Sequence, residues 1–270
     1  MEHFELKLDR LIREAIHLNA TDLHFHQGVV IFRRHKSFLL EKKLQRYDEF
    51  YNFLKYKANI ILDMHKKTQT GTLKHVIRNE TYYLRLSILE THINAHAVLR
   101  ILNIHPLNSL RDCGFQKHQI NQIKQMFEKK HGLILFCGST GSGKTTTMYC
   151  ALNELKHKQI FTLENPIERY FSNLIQLEYK GSEFQDYLIQ LLRHDPDILA
   201  IGEIRDQLEL ETALKASLSG HLIAATMHAG SKEDVFMKIE LMTDITQDLI
   251  SGIVFQKNDD QKFIFEVILI

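Results

Sequence analysis

The sequence predicts an α/β protein of two domains: a small α/β domain first, then a phosphate-loop domain with a mainly parallel sheet. Three observations predict it. Gly138-Ser139-Thr140-Gly141-Ser142-Gly143-Lys144-Thr145 fits the pattern G-x-x-x-x-G-K-[ST]. From about residue 130 onward, short apolar segments alternate with longer helical ones, as a parallel sheet covered on both faces requires. The chain has 270 residues, 44% of them hydrophobic, enough for two cores, and its first hundred residues contain no phosphate loop.

In chain order, an amphipathic helix spans about residues 4–18, followed by alternating segments such as Val29-Val30-Ile31-Phe32 and Tyr82-Tyr83-Leu84-Arg85-Leu86 that read as strands. Pro106 and the polar stretch 108–112 form a linker, which divides the chain into domains 1–105 and 106–270. A helix over about 116–130 leads to the strand 133–137. Further strands are expected at 159–163, 197–201 and 221–226, with helices at 182–193 and 207–219. There are no internal repeats and no low-complexity tract.

The glycine run sits between the apolar strand and the helix that begins near Thr146. A strand feeding a glycine loop and then a helix N-terminus aims several backbone N–H groups at one spot, where the helix dipole also favours negative charge. The set from Gly138 through Ser139, Thr140, Gly141, Ser142, Gly143, Lys144 and Thr145 to Thr146 is therefore a candidate nucleotide site. Lys144 supplies a point charge for the outer phosphates, and the Thr145 hydroxyl is placed to help hold magnesium.

Composition excludes more than it assigns. With 34 basic and 33 acidic side chains, the chain has no global attraction for nucleic acid, and no direct nucleic-acid partner is expected. No apolar run approaches a membrane span, and the N-terminus is not that of a signal peptide, so a cytoplasmic location is expected. Cys113, Cys137 and Cys150 form no C-x-x-C pair and read as structural thiols. His24 and His26 share one face of a strand but have no third ligand at metal-site spacing. The basic clusters Arg33-Arg34-His35-Lys36 and His65-Lys66-Lys67 lack interleaved stacking aromatics and read as solvated turns.

Asp197-Ile198-Leu199-Ala200-Ile201-Gly202-Glu203 is a strand with an acid just past its end, where open α/β sheets bind ligands. Such an acid either caps a helix or orients the water that attacks a phosphate. Four segments follow one another here: Leu192-Arg193-His194-Asp195-Pro196-Asp197, Gly202-Glu203-Ile204-Arg205-Asp206, Gly220-His221-Leu222 and Thr226-Met227-His228. In order and spacing they resemble the type II/IV secretion ATPase family, motors of type IV pili, type II secretion and competence pseudopili. Thr162-Leu163-Glu164-Asn165-Pro166-Ile167-Glu168 resembles the family's Asp box, and Ala20-Thr21-Asp22-Leu23-His24 matches near the N-terminus.

The resemblance implies a PAS-like first domain and a RecA-like second one. It places Lys144 and Thr145 in Walker A, Glu164 in the Asp box, Glu203 in Walker B, and His221 and His228 in the His box. Catalytic work would fall to Glu203, Glu164, Lys144, His228, Arg85 and Arg100, the two arginines approaching the outer phosphate of ATP. Magnesium would be held by Thr145, Glu164 and Glu203, partly through water. It further implies a homo-hexamer whose domains close over ATP and part after hydrolysis. Such a ring works at the inner face of the cytoplasmic membrane on a polytopic platform protein.

Three departures from the family pattern stand out. Asn165 replaces the acid of the Asp box, Ile189 stands where many relatives carry an arginine, and the chain ends soon after Gln256. The short end most resembles the competence pseudopilus assembly branch. A pilus retraction ATPase, a nucleotide-gated scaffold with little turnover and a nucleic-acid motor are the alternatives. Phosphate release with and without the membrane partner separates motor from scaffold.

Overall fold

The computed structural model describes residues 2–34, 37–60, 68–91, 94–102, 109–167, 169–242, 249–259 and 262–270. Pro106 and Asn108 of the expected linker, His35-Lys36, His65-Lys66-Lys67 and Glu168 lie outside the described residues. The chain forms two compact units, Met1–Pro106 with Glu168–Tyr170, and Leu107–Ile167 with Phe171–Ile270.

The first unit opens with α1 (Glu2–His17), which buries Leu8, Leu11, Ile12 and Ala15 at helical three-and-four spacing. Strands β1 (Asp22–His26), β2 (Val29–Arg34) and β3 (Ser37–Lys43) follow, then α2 (Tyr47–Lys57), β4 (Thr68–Ile77), β5 (Glu80–Glu90) and β6 (Ala95–Ile101). The strands form one antiparallel sheet in the order β3-β2-β1-β6-β5-β4. One face shares a core with the helices through Leu23, Phe25, Phe32, Leu84, Leu86 and Leu99. Strand alternation then places Arg33, His24, Arg85 and Arg100 on the opposite face. The periodicity of the sequence indicates a single helix in this half; α2 is the second. Its buried residues Phe50, Tyr51, Phe53 and Leu54 are mostly aromatic, a composition that favours strands and masks the helical period.

Three histidines of this unit tie its stability to pH. Burial pushes His24, His75 and His96 below the ordinary histidine range, and for His75 it outweighs the attraction of Glu5 and Asp9. A base depressed in the folded state binds fewer protons than in the unfolded chain. Its stabilising contribution is complete above the unfolded value of about 6.5 and is lost as pH falls toward the folded value. Urea unfolding is thus expected to show declining stability below about pH 6.5. The decline should flatten in His24→Gln/His96→Gln, and equal slopes for both proteins would contradict the assignment.

The second unit contains α3 (Lys117–Phe127), β7 (Gly132–Gly138), α4 (Lys144–Asn153), β8 (Ile160–Glu164), β9 (Ile175–Glu178), α5 (Phe184–Leu191), β10 (Ile198–Ile204), α6 (Gln207–Leu218), β11 (Leu222–His228), α7 (Lys232–Met242), β12 (Ile250–Asp259) and β13 (Lys262–Leu269). Its sheet runs β13-β12-β7-β11-β10-β8-β9. Every neighbouring pair is parallel except β12 with the edge strand β13. All seven residues of β7 are buried, as a strand covered on both faces must be. Leu133, Leu135 and Cys137 enter the core under α5, α6 and α7, whereas Ile134 and Phe136 enter the one under α3 and α4. No helix among the described residues is long and apolar enough to cross a membrane.

Candidate nucleotide site

The phosphate loop grows directly from the end of β7. Gly143 takes the left-handed conformation, φ 88°, and is the residue from which α4 starts. A side chain there would be strained, and glycine lets the loop reverse within one residue of Lys144. The turn is closed by Ser142 N donating to the Ser139 carbonyl at 3.2 Å, and the helix by Thr147 N donating to the Gly143 carbonyl at 2.9 Å. Lys144 is 7% exposed, and its Nζ donates back to the Ser139 carbonyl at 3.0 Å. Thr140 and Gly141 form the exposed tip, with Thr145 and Thr146 half-buried in the first turn of the helix.

Parallel strand order brings the other residues predicted from sequence to the same edge. Glu164 ends β8, Glu203 is the last residue but one of β10, and His228 ends β11, opposite Gly138 of β7. These are the carboxyl ends of four adjacent strands, where sheets of this class bind ligands. The strand carrying Glu203 is longer than expected: β10 continues to Ile204 after a register shift beyond Ile201, so the acid lies within the strand and not past its end.

Glu164 is 2% exposed, and its Oε1 accepts from Thr162 Oγ1 at 2.7 Å and Gln176 Nε2 at 3.0 Å. The Glu203 carboxylate is more open and accepts from Arg205 Nε at 3.0 Å. Arg205 Nη2 also donates to the Asn165 carbonyl at 2.9 Å. One guanidinium thus bridges the expected Walker B acid and the expected Asp box. Neither the Arg205 contact with Asn165 nor the Gln176 contact with Glu164 is legible in the sequence, because both depend on which strands become neighbours. Cys137, just before the loop, has its thiol pushed up to about 12 by burial and stays protonated at neutral pH.

His221, which the resemblance assigns to the His box, lies away from this edge. His221 precedes β11, with its Nδ1 3.1 Å from Ser219 Oγ, so the strand's seven residues, roughly 20 Å, divide it from His228. Ile189 is an exposed residue of α5.

Arg85 and Arg100 belong to the first unit, where they stand directly opposite each other on β5 and β6. Two like charges in that register repel. The register continues from Arg100 to Asp22 and from Asp22 to Arg33, which puts three guanidiniums and one carboxylate in a row. Asp22, 5% exposed, accepts from Arg100 Nε at 2.6 Å. The row lines a hollow of about 370 Å³ with His24 and Ser87. Its excess positive charge, presented as planar forks, suits an oxyanion such as phosphate.

Comparison with known proteins agrees with this architecture. The family described as type II/IV secretion system protein matches residues 2–256. Competence protein ComGA of Halalkalibacterium halodurans is 31% identical over 256 residues, covering 89% of this chain and 73% of that protein. Type II secretion system protein E of Dickeya dadantii is 30% identical over 247 residues, 87% of this chain and 50% of that protein. Among solved structures, the pilus retraction motor PilT with bound ADP superposes with a TM-score of 0.75 at 23% identity, covering 96% of this chain and 82% of that one.

Proposed function

The chain belongs to the type II/IV secretion system protein family, and from that premise we propose that it is an ATP-hydrolysing motor that assembles a pseudopilus for competence or secretion. The observation that carries the reading is the single edge shared by the phosphate loop, Glu164, Glu203 and His228. The named relatives in competence and type II secretion support the pathway. In this reading six copies form a ring at the inner face of the cytoplasmic membrane, working on a polytopic membrane protein.

The chemistry assigned to the residues is attack of water on the outer phosphate of ATP, releasing ADP and inorganic phosphate. Backbone N–H groups of the loop and Lys144 hold the phosphates. Glu203 orients the water, His228 lies beside the loop, and Arg85 with Arg100 offsets charge growing on the transferred group. The Thr145 hydroxyl and the carboxylates of Glu164 and Glu203 are hard oxygen donors, a set that fits magnesium. When bound, magnesium neutralises phosphate charge.

Asn165 makes this assignment testable, since an amide at that position contributes no charge toward a cation. In a magnesium titration of ATP hydrolysis, Asn165→Asp should reach half-maximal rate at lower magnesium than the wild type. Glu164→Gln should lose most turnover, about a hundredfold or more. Three superimposable curves would place these residues outside the metal's reach.

A further inference from the structure

We propose that Gln256 is a positioning residue for the phosphate loop, latching the Ser142–Gly143 peptide from the neighbouring strand; the inference rests on nucleotide binding by that loop. Gln256 lies on β12, which pairs in parallel with β7, and its register partner is Gly138, where the loop begins. It is 1% exposed. Its side-chain Nε2 donates to the carbonyl of Ser142. The two segments are in close contact: a Cβ added at Gly138 would stand 2.1 Å from the Gln256 carbonyl oxygen, and one at Gly143 would stand 3.1 Å from Gln256 Nε2. Gly138, at φ 151°, is therefore glycine because β12 occupies the space a side chain would need.

The consequence follows from the planarity of the peptide bond. The Ser142 carbonyl and the Gly143 N–H belong to one trans unit and point in opposite directions. Holding the carbonyl toward β12 aims the Gly143 N–H away from β12, and it keeps that donor in place before any phosphate arrives. Pre-aimed donors of this kind are what a phosphate loop offers its ligand.

The environment argues that the amide is used on the loop at one end only. Gln256 Oε1 and Ser142 Oγ are buried without a hydrogen-bond partner among the described residues. An apolar side chain of similar shape at 256 would remove one orphaned acceptor but would also take from the buried Ser142 carbonyl its donor, a loss that destabilises. The glutamine uses one end of its amide on the loop and leaves the other unsatisfied.

The test uses the full chain, with equilibrium binding of ADP and ATP and thermal melting measured side by side. Gln256→Met keeps the volume and removes the donor. It should melt only modestly lower, because the Ser142 carbonyl loses its donor, yet bind both nucleotides about tenfold more weakly, since a misdirected donor acts on phosphates common to both. Gln256→Glu keeps the shape but donates only when protonated, so its affinity should be weak at pH 8 and recover toward pH 6, a profile the wild type lacks. It also covers the case in which the methionine variant does not fold. Wild-type affinity in Gln256→Met, or weak binding by Gln256→Glu without any recovery, would overturn the latch. Failure of the wild type itself to bind either nucleotide would instead overturn the reading on which the latch rests.

Discussion

Glu203→Gln is expected to keep wild-type affinity for ATP and ADP while phosphate release falls by about a hundred- to ten-thousand-fold, the usual loss when a positioned acid or base is removed. The substitution preserves shape and removes charge at the end of β10, where the carboxylate accepts from Arg205 at 3.0 Å. Because Arg205 also holds the Asn165 carbonyl, the amide variant should leave that second bond and the local fold in place. Single-turnover phosphate release together with nucleotide binding checks this. Near-normal turnover would remove Glu203 from the chemistry, and a parallel loss of affinity would reassign it to holding the metal.

The second large effect is expected at the arginine row. If Arg85 acts on the outer phosphate, Arg85→Ala should lower turnover by about a thousandfold while ADP affinity hardly changes, since ADP lacks that phosphate. Arg100→Ala should lose turnover similarly and also cost about 1–3 kcal/mol of stability, because it takes from Oδ1 of the nearly buried Asp22 its charged donor, while Thr21 Oγ1 stays on Oδ2. Adding Asp22→Asn to Arg100→Ala should restore the stability but not the rate. Equal weakening of ADP and ATP binding in Arg85→Ala would point to a folding defect, not to a phosphate contact.

These residues differ in how far the sequence reveals them. The loop is legible because a contiguous glycine pattern between an apolar strand and a helix has one physical use. Glu203 is legible as an acid at the end of an apolar run, Glu164 and His228 are reached only through the family resemblance, and parallel pairing brings the three strand ends together. The Arg33–Asp22–Arg100–Arg85 row is not legible, because it arises from the register of four antiparallel strands. Gln256 is hidden for the same reason: a lone glutamine ending Ile253-Val254-Phe255-Gln256 has no meaning until β12 is placed beside β7. His221 and His228 fall at opposite ends of β11, a separation set by strand length and not by their shared motif.

Steady-state phosphate release from magnesium-ATP by the purified full chain, beside Lys144→Ala, tests the central claim most directly. Lys144 is the loop's own cation, and its ammonium already lies across the loop on the Ser139 carbonyl. The wild type should hydrolyse ATP, with the rate abolished by chelation of magnesium, and Lys144→Ala should release no phosphate above background while melting like the wild type. Equal phosphate release by the two proteins, or none by the wild type under conditions where it binds ATP, would contradict an ATP-hydrolysing motor.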